Sequence, residues 1–256
     1  MDIQRLKRSR LLLIGDACLD VYHYGKCLRI SPEAPVPVFD LIRSEKRPGM
    51  ALNVSKNLMA LGNDVKMHTN SEIVTKERFV DNKTMQHLLR IDTKNSEKIK
   101  PIDYEILNEI DFSQFDGIVL SDYDKGFLTR ESISYILGLV GELPVFADSK
   151  KDDLSCFDGC FVKVNEQEYQ KATRHPKNSE LIVTLGKNGA MWNNKRFEVK
   201  ETGVFDVCGA GDTFLSAFVT GYLSTNNIEE AITFANYCAS IAVSKFGTYA
   251  VGLKDL

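Results

Sequence analysis

Leu11-Leu12-Leu13-Ile14, ended by Gly15-Asp16, is a short unbroken apolar run, the pattern of a strand covered on both faces. Similar runs stand at Ile118-Val119-Leu120, Val145-Phe146-Ala147, Phe161-Val162 and Leu181-Ile182-Val183. Helical patterns over 51–61, 129–140 and 228–246 lie between or after them. Such alternation predicts an α/β fold: a central, mostly parallel sheet flanked by helices. Ligands of these sheets gather at the carboxyl ends of the strands. Each run here is followed there by polar residues: Gly15-Asp16, Ser121-Asp122, Asp148-Ser149-Lys150, Asn165 and Thr184-Leu185-Gly186. Their recurrence predicts one shared cleft.

Two segments break the pattern. Residues 21–47 contain Pro32, Pro35 and Pro37 and the alternating apolar Val36, Val38 and Leu41, with no helical period. They read as an extended hairpin that leaves the main sheet. Residues 77–92 also alternate loosely. Together the two segments predict a small β-sheet lid on a single domain spanning 1–256, or else a surface ribbon with no catalytic part. No internal repeat or low-complexity linker is present.

Composition narrows the function classes. With 256 residues the chain can bury most of the surface its unfolded form exposes without disulfide or metal support. A net charge of −3 gives no reason to expect nucleic-acid or membrane-surface binding. The first ten residues are charged without an apolar core, so they do not read as a signal peptide, and no run approaches a membrane span. Six scattered Cys, of which only Cys156 and Cys160 are close, read as reduced thiols of a cytoplasmic protein.

The richest motif is Val204-Phe205-Asp206-Val207-Cys208-Gly209-Ala210-Gly211-Asp212-Thr213-Phe214. Small residues at 209–211 permit a sharp turn and close backbone approach, and the apolar stretch from Thr213 to Leu223 reads as a buried helix. Backbone N–H groups at such a helix start suit an anion, a phosphate in transfer above all. Asp212 in that positive end can act as a general base toward an attacking hydroxyl. A plain helix cap after a glycine turn is the alternative.

At this point the residues resemble a family, the ribokinase-like (PfkB) sugar kinases, and within it the D-glycero-D-manno-heptose-7-phosphate kinases. The likeness is carried, in chain order, by Gly15-Asp16-Ala17-Cys18-Leu19-Asp20, Arg29-Ile30-Ser31-Pro32-Glu33-Ala34-Pro35-Val36-Pro37, Arg47-Pro48-Gly49-Met50-Ala51-Leu52-Asn53 and Ser121-Asp122-Tyr123-Asp124-Lys125-Gly126. It continues through Asn165-Glu166-Gln167-Glu168, Thr184-Leu185-Gly186-Lys187-Asn188-Gly189, the 204–213 stretch and Lys245-Phe246-Gly247-Thr248. The resemblance implies a ribokinase-like fold with ATP and Mg²⁺ as cofactors, and in some members K⁺. Asp212 would deprotonate the sugar hydroxyl while Gly209, Ala210 and Gly211 form the anion hole. Asp16, Asp20, Gly49 and Asn53 would bind the sugar. Asn165, Thr184, Gly186, Gly189, Lys150 and Gly247 would line the nucleotide site, with Lys163 near its phosphates. Asn165 and Glu168 would hold the metal through water, and Asp206 a monovalent cation. Without the family, Asn165 and Glu168 read equally as a helix cap and a first-turn acid. Arg29, Lys83, Arg90 and Lys125 are candidates for a phosphate already on the substrate. A homodimer through the lid sheet is the expected assembly.

Three departures from the pattern stand out. The sugar-binding turn has Met50 where a second glycine is usual, and Leu52 where a small residue is. After 65–69 the chain passes almost at once to Ile73-Val74-Thr75-Lys76-Glu77-Arg78, so a helix–strand unit of a few tens of residues is missing, which would leave apolar neighbours facing solvent or a partner. The bifunctional members carry a nucleotidyltransferase domain, whereas this chain stops at Leu256, an expectation of the kinase half alone. The leading expectation is therefore an ATP-dependent kinase that phosphorylates the anomeric hydroxyl of the heptose 7-phosphate, for nucleotide-activated heptose and lipopolysaccharide synthesis. A kinase of another sugar or sugar phosphate and a weakly active sugar or nucleotide binder are the alternatives. A Rossmann dehydrogenase fails for want of G-x-G-x-x-G after the first strand.

Overall fold

Strand β1 (Arg10–Gly15), with its last five residues buried, lies between β7 (Gly117–Asp122) and the edge strand β4 (Asp64–Thr69) of the large sheet. The computed structural model describes residues 3–72, 74–93, 99–199, 203–245 and 247–256. Ile73 and Phe246, singled out in the sequence, lie outside them. In chain order the strand is followed by β2 (Ala17–Ile30), β3 (Pro37–Met50), helix α1 (Ala51–Ala60), β4 (Asp64–Thr69), β5 (Thr75–Asp81) and β6 (His87–Asp92). Then come α2 (Tyr104–Asn108), β7 (Gly117–Asp122), α3 (Arg130–Leu139), β8 (Val145–Ser149), β9 (Phe161–Asn165) and α4 (Glu166–Lys171). The chain closes with β10 (Glu180–Thr184), β11 (Ala190–Trp192), β12 (Lys195–Phe197), α5 (Ala210–Thr225) and α6 (Ile228–Val243).

Eight strands form one sheet in the order β12-β11-β10-β9-β8-β7-β1-β4, parallel from β4 to β10 and antiparallel at the β10–β11–β12 end. Successive strand residues point to opposite faces, so an unbroken apolar run needs cover on both. Leu11 and Leu13 pack with α1, α5 and α6 through Val54, Leu58, Phe218 and Ile232. Leu12 and Ile14 face the other layer, with Leu107 of α2 and Ile133 and Ile136 of α3. Truncating such a fully buried Leu to Ala costs about 2–5 kcal/mol.

A second sheet, in the order β3-β2-β5-β6, covers the segments expected to leave the main sheet. Its small core is Tyr22, Tyr24 and Val80. Leu28, Ile30, Leu41, Ile42 and Leu89 are each more than half exposed.

The short link after β4 is confirmed. Only residues 70–74 separate β4 from β5, and β4 is the edge of the large sheet. Asn70 fastens this link by accepting from the Ala17 N–H at 2.6 Å and donating to the Glu72 carbonyl at 2.7 Å. Met59 and Met67 are left substantially exposed beside that edge. Two boundaries also move. The helix expected from Thr213 starts at Ala210, after Gly209 at φ 78°, and the strand expected at 161–162 runs on to Asn165.

Candidate active site

The N-terminus of α5 is a wall between two cavities. Ala210 and Gly211 line the larger, of about 700 Å³, and Gly209 and Asp212 line the smaller, of about 180 Å³. The wall is thin because its residues are small. Gly209 has the left-handed φ that favours glycine, and a Cβ on Gly211 would stand 2.8 Å from the Lys163 Nζ. Lys163, itself buried on β9, thus brings a positive charge to the anion-binding end of the helix.

Asp212 lies on the smaller-cavity side. Its Oδ2 accepts from the Asn53 amide at 2.7 Å and its Oδ1 from the Tyr123 hydroxyl at 2.8 Å. Asn53 is in the first turn of α1, directly after the end of β3, so the second sheet and the α5 terminus meet at this carboxylate. The Thr213 hydroxyl donates to Asn57 Oδ1 at 2.9 Å and secures the same helix crossing. Burial pushes the Asp212 carboxyl above its ordinary range, while the Asn53 and Tyr123 donors pull it back. A carboxylate with a raised pKa is a better proton acceptor than an exposed one.

The smaller cavity is polar and incompletely satisfied. Tyr22 and Asn53 are about 1% exposed, yet Tyr22 OH and Asn53 Oδ1 have no hydrogen-bond partner among the described residues. Thr248 Oγ1, on the same cavity, is in the same position. Buried polar atoms rarely go unpaired, so three around one cavity suit a ligand rich in hydroxyls. Asp20 and Gly49 also line it. Asp20 is ion-paired with Arg78 and packs so closely on Gly49 that a Cβ there has no room. The neighbouring Met50 takes φ 56° and ψ −132°, a conformation normally left to glycine, where the sequence lacks the second glycine of the turn.

Asp16 is placed differently from the sugar-binding position expected of it. It is fully buried, and its carboxylate accepts from the N–H groups of Tyr123, Lys125 and Phe127. Its role in the site therefore runs through the loop that carries Tyr123.

The larger cavity has an apolar lining from Val199, Val204, Val207, Phe214, Ala239 and Val243, suited to a flat aromatic base. Thr184, Gly186 and Gly189 line it, whereas Asn165, Lys150 and Gly247 do not. Asn165 caps α4 in a reciprocal pair with Glu168: Asn165 Oδ1 accepts from the Glu168 N–H at 2.9 Å, and Glu168 Oε2 accepts from the Asn165 N–H at 2.7 Å. Lys150 bridges Glu168 Oε1 and Asp148, and Lys163 donates to Asp148 at 2.8 Å. Burial alone would push Asp148 up, but Lys163 and Lys150 outweigh it and hold the carboxyl below its usual range. Asp206 accepts from the N–H of Cys208 at 2.9 Å and of Gly247 at 3.0 Å, which fastens the 247–248 turn to the α5 loop. Burial pushes the Cys208 thiol up to about 11, so it is no nucleophile at neutral pH.

Tyr123, Lys76 and Arg78 belong to the site but had no role assigned from the sequence, and Thr248, which closes the quoted Lys245–Thr248 motif, lines the smaller cavity. The first sits inside a quoted motif, and Lys76 and Arg78 show the period-two spacing of one strand face. Of the proposed phosphate-binding cations, Arg90 reaches the smaller cavity; Arg29, Lys83 and Lys125 do not line it. Among the described residues, no group of three or more His, Cys, Asp or Glu is placed to hold a metal, and no helix is long and apolar enough to cross a membrane.

Comparison with known proteins agrees with this geometry. Residues 63–255 match the pfkB family carbohydrate kinase profile. The bifunctional protein HldE of Nitratiruptor sp. is 32% identical over 97% of this chain, and that of Pseudomonas syringae pv. tomato 30% identical over all of it. The chain spans 64% of the length of each. The first alignment occupies 298 positions against 256 residues, so that relative carries stretches which this chain lacks. Among solved structures, Escherichia coli phosphofructokinase-2 in complex with potassium superposes with a TM-score of 0.75 at 17% identity, covering 97% of both chains. Arabidopsis thaliana ribokinase complexed with ribose and ATP gives 0.66 at 16% identity, covering 98% of this chain and 96% of that one. The fold is thus ribokinase-like, and the chain belongs to the pfkB family of carbohydrate kinases, phosphotransferases that act on a sugar hydroxyl.

Proposed function

We propose that this kinase transfers the γ-phosphate of ATP to the anomeric hydroxyl of D-glycero-D-manno-heptose 7-phosphate, giving the 1,7-bisphosphate used in nucleotide-activated heptose synthesis. The observation that carries a transfer between two ligands is the α5 N-terminus standing between an apolar cavity and a polar one. The heptose rests on the Arg29–Pro37 motif and on similarity to the HldE proteins.

In this reading the sugar hydroxyl lies in the smaller cavity and gives its proton to Asp212 as the phosphoryl group arrives. The backbone N–H groups at Gly209 and Gly211, with the Lys163 ammonium beside Gly211, would meet the charge that develops, whereas the Ala210 N–H donates to the Val207 carbonyl at 3.2 Å. Phosphoryl transfer depends mainly on such positioning and charge stabilisation. Asp20, Gly49 and Asn53 hold the sugar, and Thr184, Gly186 and Gly189 the nucleotide. Glu168 and the Asn165 side-chain carbonyl offer hard oxygen atoms, and a carboxylate has about four lone-pair sites, of which Lys150 and the Asn165 N–H take two, so this pair suits an ion that keeps its own waters. Mg²⁺, with Asn165 nearby, would supply neutralisation of phosphate charge. Asp206, between the two loops it fastens, is the residue assigned to K⁺. The second sheet acts as a lid, and its exposed apolar residues suit pairing of two lids in a cytoplasmic homodimer.

ADP release from ATP–Mg²⁺ with the heptose phosphate tests this reading. Release with another sugar alone would discard the heptose and keep the transfer site. Met50, at its glycine-like φ in the sugar turn, is the observation that favours this second acceptor.

A further inference from the structure

The smaller cavity carries more positive charge than neutral hydroxyls require. Lys76, Arg78 and Arg90 all line it. Arg78 and Arg90 are direct register partners across the antiparallel β5–β6 pair, and Lys76 lies two residues from Arg78, on the same face of β5. Like charges directly opposite on paired strands destabilise the pair. Asp20 pairs with Arg78 and Asp92 with Arg90 at the half-exposed rim, and Asp212 lines the cavity too, but among the described residues Lys76 is in no ion pair. The Lys76 ammonium stands over the Tyr123 ring, 5.3 Å from its centroid, on the Asp212 side of the cavity. Arg78 is itself about nine-tenths buried and stacks over Tyr22, whose hydroxyl is one of the unpartnered groups of this cavity.

We propose that Lys76, Arg78 and Arg90 form an anion subsite on the lid side of the acceptor cavity, which takes a phosphate monoester already present on the sugar. The proposal rests on the reading of this cavity as the sugar site. Guanidinium groups suit phosphate oxygens, and an anion between Arg78 and Arg90 turns their mutual repulsion into shared attraction. Because all three residues sit on β5 and β6, an acceptor phosphate ties the lid strands to the ligand. The same three residues make the kinase selective for sugar phosphates over sugars.

The test is calorimetric binding of a panel of sugars and their monophosphates, the heptose pair included, with ADP release measured in parallel. The monophosphate is expected to bind at least tenfold more tightly than its parent sugar. That ratio is expected to fall severalfold or more in Arg90→Gln and in Lys76→Gln. Arg78→Lys retains a cation beside Asp20 and serves where removal of the Arg78 charge prevents folding; it is expected to lower the ratio as well. Inorganic phosphate is expected to compete with the sugar phosphate for the wild-type protein. Equal binding of sugars and their monophosphates, or a preference that survives both Arg90→Gln and Lys76→Gln, would overturn the subsite. The kinase reading fails separately: tight, Arg90-dependent binding of a sugar phosphate with no ADP release leaves the subsite standing and removes the transfer reaction.

Discussion

The Tyr123 hydroxyl donates a 2.8 Å hydrogen bond to one carboxylate oxygen of Asp212, and Asn53 takes the other. Both donors favour the ionised form, which burial disfavours. The proposed base is therefore more basic than an exposed aspartate, with two side-chain donors that favour its ionised form.

Asp212→Asn keeps the shape of the site and removes the proton acceptor. General-base catalysis contributes about 10²- to 10⁴-fold, so kcat is expected to fall by about that factor with the Kd for ATP nearly unchanged. Turnover equal to wild type would remove Asp212 as the base.

The Asp212 carboxyl must be ionised to accept a proton, and burial raises its pKa. Activity is therefore expected to fall with acidification through a pKa above the ordinary aspartate range. Tyr123→Phe deletes a donor to the ionised form and moves that acid limb further up. At neutral pH the same variant is expected to lower kcat by about 3- to 10-fold, the worth of one hydrogen bond. A pH–kcat profile that overlays the wild type would show that the Tyr123 contact is structural only.

Lys163 and Asp148 are 3% and 2% exposed and bond at 2.8 Å. Lys163→Met leaves a buried carboxylate with only the longer Lys150 contact, so stability at neutral pH is expected to drop by about 3 kcal/mol or more. Because the pair holds Asp148 below its usual range, its stabilisation is present above the unfolded pKa and lost as pH falls through the folded one. Urea unfolding at several pH values should show the deficit narrowing on acidification; a deficit independent of pH would contradict the pairing.

Met50 holds a backbone conformation that costs an ordinary residue about 1–3 kcal/mol. Met50→Gly relieves that strain and forfeits burial of a side chain worth about 1.5–3 kcal/mol, so net stability is expected to change little. The sugar KM is expected to shift more than the ATP KM. An effect confined to ATP would contradict the position of this turn beside the acceptor.

The layer order of this molecule was legible because Leu11–Ile14 and its counterparts are apolar on both faces, which only a sheet buried between helices explains. The short link after β4 was legible too, since five residues leave no room for a helix. The α5 terminus could be read because the turn needs small residues at 209–211. Tyr123, Lys76 and Arg78 were harder. Each belongs to a strand or loop whose role appears only when β5 and β7 are brought beside α5, a relation that no local spacing encodes. Asp16 illustrates the reverse: its place after β1 suggested a ligand contact, and three backbone donors from 123–127 claim it instead.

The most direct measurement is ADP release from ATP–Mg²⁺ by the purified protein, with D-glycero-D-manno-heptose 7-phosphate compared against a panel of sugars and sugar phosphates, with and without a chelator. The account predicts release with the heptose phosphate, abolished by chelation and by Asp212→Asn. No release with any acceptor, from protein that still binds ATP, would contradict it and leave a binding protein on a kinase fold.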